Sequence, residues 1–597
     1  MTCFKWCLVN LLILFSFVFV KTATAQVNTS LSSLKPESLP VDDFSQFQSS
    51  KSNKWIIAGH IFADRNQKRD LEVKNGKGVL VYLPKQKGSK TLQTNLQHGD
   101  IDLNLDFLLS KSGSFTVLLQ GRYEVKITDE WLKNGNNTIK APGLWQNLTI
   151  RFKAPQFDSN SSKIKNAVLE EVLINSQPVQ TSTATSISQL STFKDEKETG
   201  PLIIQGDESS FAIRNIRYKI YTKEEIRLTD IKFKVYHGLH KNVDTLQNLK
   251  PKRTGITDSI SHLVGDRKSQ LVFDGLADIP ADGEYLFKLT AGGGAWLFID
   301  GKLMIENKGS RDFEKAFYAK QTLKKGKFQF KIVYSNSDEC LVLHYEGPHI
   351  PWHALTTAAS VRRSEKFDPF EYQVKNKPVL QRGFMLKNGT TNPYIAAVGI
   401  PGATDLEGLN YAYDMKKYSL SAVWHGKFID VSNMWTERGE KQLEIPLGAK
   451  LELSGKPLLA KTFNEKTSCP DSVQAPEGVY SNRGYKLNKD GFPIFYYMLD
   501  SVSVEDSFYP NHDKTGLTRS LKILNPTGNS YCLLAEGKVI EKLSEGNFTV
   551  DDKKYYIAGL ETGALKAMIS HGSDGDKLVV SVPARKEIST IKFDIIW

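Results

Sequence analysis

The sequence predicts an all-β protein of several domains. At 597 residues, the chain is too long for a single hydrophobic core. Short segments that alternate apolar and polar side chains recur along it, as in residues 101–107, 285–289, 328–334 and 577–582. Hairpin-type dipeptides separate such segments: Asp282-Gly283, Asp300-Gly301, Asn388-Gly389 and Asp490-Gly491. Because long helical periodicity is nearly absent, this pattern indicates β-sandwiches.

Residues 1–25 have the features of a secretory signal peptide. Lys5 supplies the positive start, residues 6–20 form an apolar run, and Ala23-Thr24-Ala25 is a small-residue cleavage site. We therefore expect cleavage after Ala25 and a secreted or periplasmic protein. An uncleaved membrane anchor is the alternative, which the short apolar run disfavours. Residues 26–50 are polar and Ser-rich, so they predict a flexible leader.

Charge and cysteine content exclude several classes of function. The 78 Lys+Arg and 66 Asp+Glu residues are interspersed and give a net charge of +12, without the basic block that predicts nucleic-acid binding. Cys340, Cys469 and Cys532 follow the signal and allow at most one disulfide, whose pairing stays open. The sequence contains no Cys-x-x-Cys-His and no zinc-protease, serine-hydrolase, phosphate-loop or Rossmann motif. We predict no covalent haem, no cofactor and no metal.

The first predicted domain spans residues 51–222 and carries an ordered series of characteristic segments. These are residues 98–103, 113–125, 142–146 with 152–158, 173–176, and 200–205 with 211–217. In this order they resemble the 3-keto-disaccharide hydrolase domain family, which is a concanavalin-like jelly roll. The resemblance implies a jelly-roll fold and cleavage of a sugar substrate.

Glu124 is the leading candidate for proton transfer in this domain. The alternation along residues 119–127 predicts one strand, with Gln120, Arg122 and Glu124 on its polar face. Cleaving a glycosidic bond, or eliminating beside a keto group, requires a positioned acid or base. Alternatively, these side chains form a solvated strand face with cross-strand charge pairs.

The closing loop supplies a second pair of catalytic candidates, Asp207 and Glu208, which are alternatively plain turn residues. Hydrolases of the family usually carry Asp-His-Gly where this chain has Gly206-Asp207-Glu208, and Ala212 replaces a charged residue. A histidine expected to act on the sugar is therefore missing. The sugar contacts that the resemblance implies are Gln120, Arg122, Trp145, Gln205 and Asn215.

Residues 228–365 form the second predicted domain. Residues 274–287, 294–302, 323–328 and 341–348 resemble the protective-antigen-type, lectin-like β-sandwich. Sugar-binding members of that family hold calcium through adjacent aspartates, whereas residues 290–295 contain no carboxylate here. We therefore expect a structural or weakly binding module without calcium. The run Gly292-Gly293-Gly294 predicts a tight hairpin.

Residues 366–597 form a further β-rich region. They resemble a region of large exported bacterial proteins that combine sugar-acting domains with c-type cytochromes, and the resemblance implies no chemistry. Its Trp424, His425, Trp435 and Arg438 could form an aromatic sugar platform. The alternative is that these residues belong to the core and rim of a sandwich.

Together these features predict an exported carbohydrate-active protein. Its expected activity is hydrolysis of 3-keto-glycosides or related disaccharides, aided by carbohydrate-binding accessory domains. A functional partnership with exported sugar-oxidising enzymes is also expected. The alternative is a non-catalytic carbohydrate-binding or cell-surface scaffold protein.

Overall fold

The structure is a computed structural model that describes a large part of the chain. The described residues are 33–48, 53–65, 71–128, 138–191, 193–309, 315–360, 370–404, 407–435, 443–456, 458–460, 480–526, 530–544, 546–584 and 588–597. The predicted signal peptide lies outside them, whereas residues 33–48 of the predicted leader are described. These residues include a short strand at Glu37–Ser38, and Leu39, Val41 and Phe47 are buried in the core of the first region, so this part of the leader is folded. Within the described ranges, no helix combines the length and apolar character needed to span a membrane.

The chain divides into two compact units. Among the described residues, the middle unit takes those within 223–364 together with 33–35, and the larger unit takes those within 36–222 and 365–597. The sequence led us to expect three separate units, but the first and last predicted regions pack together. Ala141 and Leu144 of the first region share a buried apolar cluster with Tyr556 and Ile596 of the last. Burial of this apolar surface favours their association.

The first region of the larger unit is a two-layer β-sandwich. Its strands are β1 (Glu37–Ser38), β2 (Trp55–Phe62), β3 (Glu72–Tyr82), β4 (Thr91–His98), β5 (Asp100–Leu109), β6 (Ser114–Leu119), β7 (Tyr123–Thr128), β8 (Gln146–Lys153), β9 (Gln156–Phe157), β10 (Lys163–Lys165), β11 (Ala167–Ile174), β12 (Gln177–Thr185), β13 (Gly200–Gly206) and β14 (Phe211–Tyr221), with a 3₁₀ turn at Phe44–Gln46. The large sheet has the order β12-β11-β8-β5-β14-β3-β2, with β1 also beside β14, and the small sheet has the order β4-β13-β6-β7. Apolar side chains from both sheets form one core.

The middle unit is a second sandwich. Its strands are β15 (Arg227–His237), β16 (Arg253–Thr257), β17 (Ser269–Ile279), β18 (Gly283–Ala291), β19 (Gly294–Ile299), β20 (Lys302–Lys308), β21 (Phe317–Leu323), β22 (Gly326–Asn336), β23 (Leu341–Gly347) and β24 (Ile350–Ala354), with 3₁₀ turns at Val243–Asn248, His262–Val264 and Ala358–Ser360. A sheet ordered β16-β15-β17-β22-β19-β20 faces one ordered β21-β18-β23-β24. Their apolar faces enclose the core.

The last region of the larger unit is also β-rich. Its strands are β25 (Glu371–Tyr372), β26 (Val379–Lys387), β27 (Thr390–Ile400), β28 (Leu409–Asp414), β29 (Ser419–His425), β30 (Ile429–Asp430), β31 (Ile445–Pro446), β32 (Leu451–Glu452), β33 (Leu459–Ala460), β34 (Tyr480–Leu487), β35 (Pro493–Leu499), β36 (Val502–Pro510), β37 (Gly516–Leu524), β38 (Ser530–Gly537), β39 (Ile540–Ser544), β40 (Asn547–Val550), β41 (Tyr555–Glu561), β42 (Lys566–Gly572), β43 (Gly575–Val582) and β44 (Ser589–Ile596), and helix α1 spans Ser432–Trp435. The sheet orders are β34-β35-β36-β37-β44-β41-β40-β39, β26-β27-β28-β29-β32, β33-β38-β43-β42 and β25-β30-β31. The first three share one core.

The all-β fold class is confirmed, and the local turn chemistry explains several hairpins. Asp300-Gly301 joins β19 to β20, and Asn388-Gly389 joins β26 to β27. Their φ angles are 46° and 73° in the first turn and 47° and 75° in the second, as type I′ turns require. The hairpin expected at Gly292–Gly294 is wrong, because β18 and β19 belong to opposite sheets. This stretch instead crosses from one layer of the sandwich to the other.

Candidate functional site

The predicted polar strand at residues 119–127 is a hairpin in the structure. Leu119 ends β6, Tyr123 begins β7, and Gln120 and Gly121 form the turn with φ angles of 52° and 65°. Leu119 and Tyr123 both face the core and are four positions apart, so the alternation stays in phase across the turn. The turn therefore cannot be recognised from the alternation of apolar and polar residues in the sequence.

The side chains of Gln120 and Arg122 point into a buried network. Gln120 is fully buried; its backbone N–H donates to Nε2 of His98 at 2.9 Å, and its side-chain amide donates to the carbonyl of Glu198 at 2.8 Å. Burial lowers the pKa of His98 to about 4, which leaves this ring nitrogen able to accept. Arg122 is 2% exposed and donates through Nη1 to the carbonyl of Gln120 at 2.8 Å, with its guanidinium 4.7 Å from the ring of Phe193. These contacts fix the turn against the segment that precedes β13.

Glu124 and the closing-loop carboxylates lie at opposite ends of the small sheet. Glu124 pairs in register with Leu118, and its Oε2 accepts from Ser188 Oγ at 2.6 Å. At the other end, Asp207 Oδ2 accepts from Ser114 Oγ at 2.9 Å. Four residues of β6 separate the two ends, or about 13 Å at 3.3 Å per residue. Glycosidase carboxylate pairs lie roughly 5–9.5 Å apart, so the structure does not bring these groups into such a pair.

Two further predicted residues also lie on the small sheet or beside it. Glu208 is exposed and pairs with Lys90 at 2.8 Å. Gln205 lies on the outer face of β13, opposite Thr116 of β6. Trp145 and Asn215, in contrast, lie on the large sheet. Gln120 and Arg122 are buried, and the other predicted site residues are divided between the two sheets of the sandwich.

The outer face of the large sheet carries a continuous row of polar side chains, here named the polar row. On β5, Ile101, Leu103, Leu105 and Phe107 face the core, so the alternate residues face outward. Strands β8, β5 and β14 are neighbours, which places their outward side chains next to one another. The polar row consists of Asp102, Asn104, Asp106, Asn147, Thr149, Arg151, Arg214 and Asn215.

Asp106 lies at the centre of the hydrogen bonds at one end of the polar row. Its Oδ1 accepts from Asn147 Nδ2 at 3.1 Å, and its Oδ2 accepts from Asn215 Nδ2 at 2.7 Å. Asn104 Nδ2 in turn donates to Asn147 Oδ1 and Thr149 Oγ1, both at 2.9 Å. The amides hold the Asp106 carboxylate in one orientation, as catalysis by a positioned group requires.

Trp145 and Arg214 lie beside this carboxylate. The guanidinium of Arg214 stacks 4.0 Å from the centroid of the Trp145 ring, which is itself 5% exposed. Arg214 pairs with Asp106 at 3.7 Å and with Asp552 of the last region at 2.6 Å. A guanidinium fixed on both sides in this way is a preorganised cation that can stabilise developing negative charge.

Lys140 adds a titratable group next to Trp145. Its Nζ donates to the Trp145 carbonyl at 3.3 Å. Burial is the main cause that lowers the pKa of Lys140 to about 8, and the positive charge of Lys554 lowers it further. A lysine with this pKa exchanges its proton near neutral pH, which suits general acid–base chemistry.

Sequence reasoning missed Asp106, Asn147, Arg214 and Lys140. The alternation of Asp102, Asn104 and Asp106 was visible, but it is equally typical of any half-exposed strand. What gathers these side chains is the order β8-β5-β14, which joins segments distant in sequence.

The predicted aromatic platform of the last region is not an open surface where the structure describes it. Trp424 is fully buried, stacks on Phe428, and donates through Nε1 to the Phe428 carbonyl at 2.8 Å. His425 stacks on Trp597 with centroids 4.4 Å apart. The Trp435 side chain and Arg438 lie outside the described residues, as does Cys469. Among the described His, Cys, Asp and Glu residues, no group of three is placed to hold a metal ion.

Comparison with known families identifies two domains. Residues 43–219 match the 3-keto-alpha-glucoside-1,2-lyase-like domain, and residues 246–343 match the PA14 domain. Both resemblances drawn from the sequence are therefore confirmed, and the first supports a carbohydrate-active protein. No curated protein matches the chain.

Several solved structures are similar to parts of the chain. A provisionally assigned glycosyl hydrolase from Parabacteroides distasonis ATCC 8503 is 20% identical with a TM-score of 0.22, and the match covers 33% of this chain and 99% of that chain. A second such protein from the same organism is 15% identical with a TM-score of 0.22, covering 31% and 99%. A β-glucosidase from Kluyveromyces marxianus in complex with glucose is 20% identical with a TM-score of 0.15, covering 20% of this chain and 15% of that chain.

Proposed function

We propose that the 3-keto-alpha-glucoside-1,2-lyase-like domain of this chain cleaves 3-keto-glycosides or related disaccharides at the Asp106 end of the polar row. The observation that carries the proposal is the grouping of Asp106, Arg214 and Lys140 around Trp145. This grouping combines a positioned carboxylate, a fixed cation and a lysine of lowered pKa. The amides that surround Asp106 are suited to hydrogen-bond sugar hydroxyls.

The chemistry follows from the keto group at C3, which makes the proton on C2 acidic. Asp106 removes this proton, and the electron pair of the C2–H bond forms the C1=C2 double bond. The C1–O bond breaks, and the leaving oxygen takes a proton from the Lys140 ammonium. Arg214 stabilises the negative charge that develops on the C3 oxygen. Addition of water across the double bond would make the net reaction a hydrolysis.

Glu124 on the small sheet is the competing location for the acid–base group, and one pair of variants separates the two. With a panel of 3-keto-glucosides, we expect Asp106→Asn to lower kcat by about 10²–10⁴-fold. Glu124→Gln should leave kcat within about twofold of the native value, since Glu124 lies on the opposite outer face. Asp490→Asn, in an exposed turn, controls for the loss of one negative charge. Thermal melting checks that each variant folds.

The opposite result would place the chemistry on the small sheet. If Glu124→Gln abolishes turnover and Asp106→Asn does not, the polar row is not the reaction centre. Ordinary disaccharides in the same panel test the requirement for a keto group. Equal turnover of oxidised and ordinary sugars would refute the 3-keto specificity.

Export and a functional link to sugar-oxidising enzymes belong to the same proposal. The support is the signal-like sequence, with its apolar run at residues 6–20 and its small residues before Gln26. An oxidising enzyme in the same compartment would supply the keto substrate. Mass spectrometry of protein from the native host should find Gln26 at the mature N-terminus. An intact Met1 terminus would refute cleavage at this site.

A non-catalytic carbohydrate-binding protein is the second candidate. Two observations favour it: the closing loop lacks the histidine that hydrolases of the family usually carry, and Ala212 replaces a charged residue of the family. In this case the protein binds the glycosides without releasing product. Calorimetric titration, run beside the turnover assay, distinguishes binding alone from cleavage.

A further inference from the structure

The turn that joins β40 to β41 has an unusual backbone. Asp551, Asp552 and Lys553 all lie in the left-handed region, with φ angles of 52°, 55° and 62°. Non-glycine residues disfavour this region because Cβ approaches the following carbonyl oxygen. Three in succession persist only where surrounding contacts hold them.

Buried charge and backbone hydrogen bonds hold the turn. Lys553 is 1% exposed, and its Nζ pairs with Glu541 Oε2 at 2.8 Å. The backbone N–H of Lys538 donates to Asp551 Oδ1 at 2.9 Å, and the N–H of Lys554 donates to the Val550 carbonyl at 2.9 Å. The left-handed conformation is therefore anchored within the last region on both sides of Asp552.

The anchored turn lies directly on the proposed site in the first region. The backbone N–H of Trp145 donates to the Lys553 carbonyl at 2.9 Å. Asp552 Oδ2 contacts Arg214 Nη1 at 2.6 Å, which is shorter than the 3.7 Å between Arg214 and Asp106. Asp552 thus provides the closer of the two carboxylates that fix the guanidinium over Trp145.

We infer that Asp552 is a positioning residue of the polar-row site. It belongs to the last region and therefore lies outside residues 43–219, which match the 3-keto-alpha-glucoside-1,2-lyase-like domain. The inference rests on the proposed function and specifies which residue holds its cation in place. Without Asp552, Asp106 would be the sole carboxylate paired with Arg214, and the guanidinium would shift toward the base. Charge stabilisation at the C3 oxygen would then weaken, whereas the amides that bind hydroxyls would be unchanged.

The test combines kinetics with a spectroscopic signal from Trp145. Full-length protein carries 5-fluorotryptophan, and the Trp145→Phe variant assigns the Trp145 fluorine resonance. We expect Asp552→Asn to shift this resonance and to lower kcat about tenfold with KM within about twofold, since a displacement near 1 Å can cost up to 10²-fold. Asp552→Glu should restore much of both signals. Asp490→Asn is the charge-matched control and should change neither.

The possible outcomes distinguish a failure of the inference about Asp552 from a failure of the proposed function. If the Trp145 resonance of Asp552→Asn is native-like, Asp552 does not position Arg214 and the inference is overturned. If the resonance shifts but kcat equals that of Asp490→Asn, the positioning does not serve the reaction and the inference again fails. If the resonance shifts and native protein turns over no 3-keto-glucoside, the proposed function fails while the contact between Asp552 and Arg214 stands.

Discussion

Replacing Lys140 by methionine should change how stability depends on pH. In the folded protein the pKa of Lys140 is about 8, against 10.5 for the ordinary side chain. Between these two pH values the unfolded chain binds more protons than the native protein, so native stability rises with pH. Below pH 8 the full cost of burying the ammonium is present; above pH 10.5 it is absent. Methionine carries no charge and removes this dependence.

The size of the effect follows from the shift in the pKa. A difference of about 2.5 pH units corresponds to about 3 kcal/mol at 1.36 kcal/mol per unit. Lys140 also loses its hydrogen bond to the Trp145 carbonyl on substitution. That loss is nearly independent of pH, so it cancels when the stability difference at pH 7 is compared with that at pH 10.5. We expect the difference in the free energy of unfolding between native and Lys140→Met protein to change by about 2–3 kcal/mol between pH 7 and pH 10.5. The variant should be stabilised relative to the native protein at the lower pH.

Urea unfolding from pH 7 to pH 10.5, followed by tryptophan fluorescence, measures this change. Lys165→Met, at an exposed position of β10, is the matched control and should show no such dependence. The turnover assay adds a second readout, because Lys140→Met should also lose the proton donor and lower kcat. A stability difference that stays constant across this pH range would refute the reasoning.

Three further predictions concern the rest of the chain. Arg519→Leu should destabilise the larger unit by about 3–5 kcal/mol in urea unfolding, because it leaves the buried carboxylate of Asp506 without its bidentate partner. The double variant with Asp506→Leu should recover most of the lost stability. Failure of the double variant to recover stability would contradict this account. Thermal melting of the PA14 domain should coincide with and without chelator, whereas a lower melting temperature with chelator would reveal a calcium site. Limited proteolysis should cut near residues 222–223 and 364–365, and the fragments 36–222 and 365–597 should then co-elute in gel filtration; separate elution would argue against a shared unit.

Local chemistry was readable from the sequence because strands and turns depend on neighbouring residues. The alternating segments at 101–107 and 577–582 lie within β5 and β43, and Asn388-Gly389 adopts the positive φ angles that its turn requires. The same local pattern was misleading where two structures share it. Alternation continued in phase across the Gln120–Arg122 turn, and a glycine run fits a hairpin and a crossing between layers equally well.

The sequence by itself determined the all-β fold, the two family domains and the alternation of apolar and polar side chains along residues 101–107, because these follow from local patterns and ordered motifs. Tertiary structure alone decided that Glu124 lies far from Asp207, since register places them at opposite ends of β6. It also decided that Asp552 reaches Arg214 across 338 positions of sequence. Sheet order and the packing of distant regions depend on long-range burial and pairing, which no local pattern encodes.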